Sequence, residues 1–152
     1  MNRLSAIEID ERGAAPTPEI DQERRVAIFD LLEDNAFAIP RAAEFPGPYR
    51  LLLALREGRL VFDISSETGP KVAEFHLSLG PFRQVVKDYF QICESYFEAV
   101  KVLPPSQIEA IDMARRGIHN EGARVLQERL QGKAVVDAAT ARRLFTLICA
   151  VQ

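Results

Sequence analysis

Cysteine and histidine are scarce in this chain, two of each among 152 residues. Cys93 and Cys149 both fall on apolar helical positions, so no disulfide framework is expected and a reducing compartment is. His76 and His119 stand at no metal-ligand spacing with a cysteine or an acid, so neither a metal site nor a cofactor is expected. Long apolar runs are missing too. The longest unbroken one, Leu51–Leu55, is far short of the ~20 residues that span a bilayer. The opening MNRLSAIEIDERG reaches acidic residues at once and lacks the apolar centre of a secretory signal. A net charge of −3 supplies no field to recruit nucleic acid or an anionic membrane. No phosphate-cradling loop is present, because Gly47, Gly58, Gly69 and Gly80 each read as turn or cap residues. Ser65, Ser66 and Ser78 have no histidine placed to activate them. These absences leave a cytoplasmic globular protein, expected to form one domain over residues 1–152.

What is present is a clear pattern of periods. Phe82, Val85, Val86, Tyr89, Phe90, Cys93, Tyr96, Phe97 and Val100 recur at steps of three and four, which gathers them on one face of a helix over 81–100. Upstream, Thr17 reads as an N-cap before a helix that places Ile20, Ala27, Ile28, Leu31 and Leu32 on one side. Residues 36–48, rich in proline, read as a loop. From Tyr49 the period changes to two. Tyr49–Arg56 and Arg59–Ser65 flank Glu57-Gly58 as a hairpin, and Lys71–Leu79 makes a third strand. Residues 4–9 read as a further short strand. Ser106 and Glu109 have capping-box spacing for a third helix running to about Gln131. Asp137 is placed to cap a last helix that is apolar on nearly every side. The expectation is an α+β fold, a small antiparallel β-meander of three or four strands covered by helices, in the order β-α-β-β-β-α-α-α.

Four separated strings, RLVFDI, KDYFQICESYFEAV, PSQIEAIDMARRGIHNEGA and TARRLFTLIC, resemble in order the signature segments of an uncharacterised protein family of the UPF series found in alphaproteobacteria. The resemblance implies a bacterial protein of unknown function. It carries over no activity, cofactor or catalytic residue.

Candidate chemistry centres on the third helix. Ile108, Ile111, Ile118, Val125 and Leu126 define its apolar side, and Arg115 projects near the middle of that side. A guanidinium facing a core must meet a carboxylate or an anion, because an unpaired buried charge costs several kcal/mol. One outcome is an ion pair with an acid of the N-terminal helix or a strand. The other is an anion pocket with Arg115 as anchor, His119 as titratable donor, and Asp112, Arg116, Asn120 and Glu121 around them. Gly117 and Gly122 leave open whether this helix is continuous. Asp63 and Glu74 read as outward acids facing each other across a hairpin. The best functional expectation is a non-enzymatic protein-interaction or regulatory module; the alternative is a protein or enzyme for a small anionic, phosphorylated metabolite at Arg115 and His119. A protein partner is expected on the Arg115 and His119 surface or on the far side of the sheet, and the apolar last helix with Tyr96-Phe97 leaves room for a homodimer interface. Nucleic acid and membrane are not expected as partners.

Overall fold

The computed structural model describes residues 2–10 and 17–151. Within them the elements are β1 (Leu4–Ile9), α1 (Pro18–Glu33), β2 (Phe37–Ala38), β3 (Tyr49–Arg56), β4 (Arg59–Ser66), β5 (Lys71–Ser78), α2 (Arg83–Val102), α3 (Pro105–Arg129), β6 (Val135–Val136) and α4 (Ala138–Ala150). The fold is α+β in the expected order, with the short strand β2 added inside the segment that reads as a loop and β6 in the connection between the last two helices. Those two pair antiparallel, Phe37 opposite Val136 and Ala38 opposite Val135.

The meander β3-β4-β5 is antiparallel, and β1 joins β3 at its edge to complete a four-stranded sheet. Glu57 (φ 53°) and Gly58 (φ 73°) both take positive φ, the backbone of a two-residue turn whose twist matches the strands it joins. Arg56 closes the hairpin opposite Arg59. β1 runs parallel to β3, with Leu4 opposite Tyr49 and Ile9 opposite Leu53, so the sheet is mixed. A parallel neighbour needs a crossover, and α1 lies in that connection. The side chain of Asn35 then ties the crossover back to the sheet. Its Oδ1 accepts from the Leu4 N–H at 2.7 Å, while its Nδ2 donates to the carbonyls of Leu4 at 2.9 Å and Leu31 at 2.7 Å.

One face of the sheet carries Tyr49, Leu51, Leu53, Leu60, Phe62 and Ile64, all buried in the same cluster as Tyr89, Leu126 and Phe145 of the helices. Burying each such side chain contributes about 1.5–3 kcal/mol. The apolar end of α4, Leu144 to Ala150, is buried within this chain's own core, so it is not a surface for a second copy.

Helix boundaries follow local chemistry. Thr17 Oγ1 accepts from the Ile20 N–H at 3.2 Å, and Asp137 Oδ1 accepts from the Thr140 N–H at 2.8 Å, both as the cap residues require. Thr140 Oγ1 in turn accepts from the Ala36 N–H at 3.0 Å, which joins the start of α4 to the end of α1. The capping box is not formed: α3 begins at Pro105 and no side chain caps it, because proline at the first helical position already sets φ and has no N–H to satisfy. The helix over 81–100 begins instead with a 3₁₀ turn at Gly80–Phe82. α3 runs unbroken through Gly117 and Gly122. Gly122 is required by packing, since a Cβ there would stand 2.5 Å from ring carbons of Phe145.

Candidate functional site

Three helices meet around Arg115. Its Nη1 donates to Glu23 Oε1 of α1 at 2.9 Å, and its Nη2 donates to Asp112 Oδ1 at 3.0 Å. The guanidinium carbon lies 4.4 Å from the centroid of the Tyr96 ring on α2, a cation–π contact. Burial opposes the Arg115 charge, but Glu23 and Asp112 outweigh it and raise the pKa further. Arg116 adds a more exposed contact, Nε to Asp112 Oδ2 at 3.2 Å. The anion that an inward-facing arginine demands is therefore supplied by the protein itself, with the acid of α1 at its centre.

One turn on, His119 packs its ring against Tyr89, centroids 4.9 Å apart, and edge-on to Phe145 at 6.4 Å. Its Nε2 lies 3.2 Å from Thr146 Oγ1 on α4. Burial, then the charges of Arg115 and Arg142, pull its pKa down to about 4. The ring is neutral at physiological pH. The unfolded chain, with a histidine pKa of ~6.5, takes up the proton first as pH falls. The stabilisation is thus complete above pH ~6.5 and is lost as pH drops toward 4, by about 2 kcal/mol after allowance for partial exposure. Urea titrations at pH 7 and pH 4.5 should show wild type losing about that much more stability than His119→Gln. Equal losses would mean that His119 is not held neutral.

The remaining predicted residues divide. Asn120 Oδ1 accepts from Arg142 Nη1 at 3.4 Å, which places it at the rim. Glu121 turns away to pair with Arg124 and has no part in the junction. Asp112, Arg115, Arg116 and His119 are brought together. Sequence reasoning did not single out Glu23, Thr146 or Asp30, and it read Tyr96 as part of an apolar face and a dimer surface rather than as a partner of Arg115. Their signal is weak, since each is an ordinary polar or aromatic residue of an amphipathic helix and only the helix crossings unite them.

Between α1 and α4 the junction opens into a cleft of about 200 Å³. Glu23 and Asp30 line one side, Arg142, Arg143 and Thr146 the other, with His119 between them. Arg142 and Arg143 form no ion pair among the described residues. Their guanidinium hydrogen bonds are long ones to neutral oxygens, Asn120 Oδ1 at 3.4 Å and the Asp34 carbonyl at 3.4 Å.

Other candidate chemistry is held in unreactive forms. Burial pushes the Cys93 thiol up and the Cys149 thiol well up, so neither is a thiolate at neutral pH. Asp63 and Glu74 are direct cross-strand neighbours, bridged by Lys71. Hydrogen bonds from Lys71 and His76 hold Glu74 down to about 2, which makes it a fixed anion rather than a proton donor. Among the described residues no group of His, Cys, Asp and Glu side chains could hold a metal ion, and no helix is long and apolar enough to cross a membrane.

Fold and site together define an α+β protein of unknown function, whose polar groups concentrate where α1, α2, α3 and α4 cross. The chain belongs to the uncharacterised protein family UPF0262, whose family model matches residues 1–152. It is 76% identical over 156 residues to the UPF0262 protein of Cereibacter sphaeroides, covering 100% of this chain and 99% of that one. The Paracoccus denitrificans protein is 73% identical over 154 residues, covering 99% and 95%. That of a Ruegeria species is 70% identical over 156 residues, covering 100% and 98%. No solved structure matches the chain.

Proposed function

We propose that this chain is a non-enzymatic interaction module of the bacterial cytoplasm, and that it docks a partner protein on the outward face of α1. The observation that carries this is the exposure of Phe29. At ~100° per residue it comes out opposite the buried Ala27 and Leu31, and 65% of it is accessible. Val26 and Leu32 flank it at 45% and 38%. Leu32 reads from the helical pattern as a core residue, so its exposure widens this strip. Large apolar side chains grouped on one solvent-facing helix are the anchors that protein partners bury. Arg25 and Glu33 border the strip with charge, as at the rim of an interface. A phosphorylated metabolite held by Arg115 lacks the open guanidinium it would need, because Glu23 and Asp112 already occupy that group.

The test compares wild type with Phe29→Ser by affinity capture from native bacterial lysate, with a photocrosslinker placed at Glu33. Wild type should retain a stoichiometric protein that crosslinks to α1. Phe29→Ser should lose it without a fall in melting temperature, since most of this residue is in solvent and it lies outside the buried core cluster. A partner retained by both forms, or crosslinked to neither, overturns the proposal.

A further inference from the structure

We propose that the cleft between α1 and α4 binds a small zwitterion of the α-amino-acid class, its carboxylate on Arg142 and Arg143 and its ammonium on Asp30. Two arginines project from successive positions of α4 into one cleft. Each is partly buried, and neither meets a carboxylate among the described residues. A guanidinium taken partly out of water favours an anion, and two side by side can hold both oxygens of a carboxylate. Asp137, which caps α4, senses both charges, but its carboxylate is engaged with the Thr140 N–H at 2.8 Å.

The opposite wall decides which anion fits. Glu23 is neutralised by Arg115 at 2.9 Å. Asp30 is not: its carboxylate has no hydrogen bond or ion pair among the described residues. It faces the cleft as a carboxylate with no direct partner among the described residues. A phosphate dianion would be repelled there, whereas a ligand with an ammonium at its other end would be attracted. The cavity of about 200 Å³ limits the ligand to a single residue or its like. Between the charged walls, neutral His119 offers its imidazole and Thr146 its hydroxyl, and the methyl groups of Val26 and Ala27 supply an apolar flank.

This inference is independent of docking on α1, and Phe29→Ser should leave it unaffected. The probes are the free α-amino acids, their N-acetyl derivatives and inorganic phosphate, followed by thermal shift and then calorimetry. At least one amino acid should raise the melting temperature and bind with 1:1 stoichiometry. Its N-acetyl derivative, which lacks the ammonium, should bind at least tenfold more weakly. Arg142→Gln and Asp30→Asn should each weaken the free amino acid at least tenfold, with circular dichroism unchanged. Asp30→Asn should leave the N-acetyl derivative unaffected, which separates loss of the ammonium contact from damage to the fold. Absence of binding by any amino acid, equal binding of the acetylated form, or tighter binding of phosphate would each overturn the proposal.

Discussion

Alanine at Gly122 is expected to destabilise the protein by about 2–3 kcal/mol, the upper part of the ~1–3 kcal/mol range for overpacking a tight core. Helix propensity alone argues for the opposite sign, because alanine is the better helix former by about 1 kcal/mol. Packing wins here. The added methyl would stand 2.5–2.6 Å from Cγ, Cδ1 and Cδ2 of Phe145, and that ring has nowhere to retreat. It is fully buried and lies edge-on to Tyr89 at 5.7 Å. Gly117 provides the contrast in the same helix. A Cβ there meets nothing within 4 Å, so Gly117→Ala should stabilise by up to about 1 kcal/mol. Urea unfolding midpoints decide both. Shrinking the ring in Gly122→Ala/Phe145→Leu should recover part of the loss. Wild-type stability in Gly122→Ala would mean that α3 and α4 do not approach this closely.

Leucine at Arg115 should cost about 2–3 kcal/mol. This is less than for a fully buried pair, because the three side chains keep some contact with water. The loss comes chiefly from what is left behind. Glu23 and Asp112, 26% and 22% accessible, would lose the cation they both address. The remedy should be to remove the acid as well. Glu23→Gln in the Arg115→Leu background should restore at least 1 kcal/mol, so the two single losses do not add. Additive losses in that double-mutant cycle would show that Glu23 and Arg115 are not energetically coupled.

Features set by neighbouring residues were legible in the sequence. Thr17 and Asp137 cap the helices they precede, and Glu57-Gly58 turns the hairpin, because each device acts within about four residues. The inward arginine of α3 was legible as a demand for a carboxylate or an anion. Glu23 was not identifiable as the source, because any acid on α1 satisfies the pattern and only the crossing of α1 with α3 selects one. The β2–β6 pair was illegible for a related reason. Two residues carry no period, and their partners come from distant parts of the chain. At Pro105 two local signals competed, a proline start and a capping box, and the rigid ring set the boundary. Leu32 shows the limit of periodicity, since a pattern lists the apolar residues of a helix without saying how wide a stripe the core will cover.

The pairing of Phe37 with Val136 and of β1 with β3 has a bearing on the order in which the molecule can be completed as it is synthesised. β1 emerges first, yet its parallel neighbour is made only after the whole of α1. β2 waits longer still, until the residues just before α4 have left the ribosome. The hairpin β3-β4 can close as soon as its own residues appear. A nascent chain should therefore acquire its middle early and leave its beginning unpartnered. The end of α1 is sealed only when Thr140 meets Ala36 and α4 settles into the core.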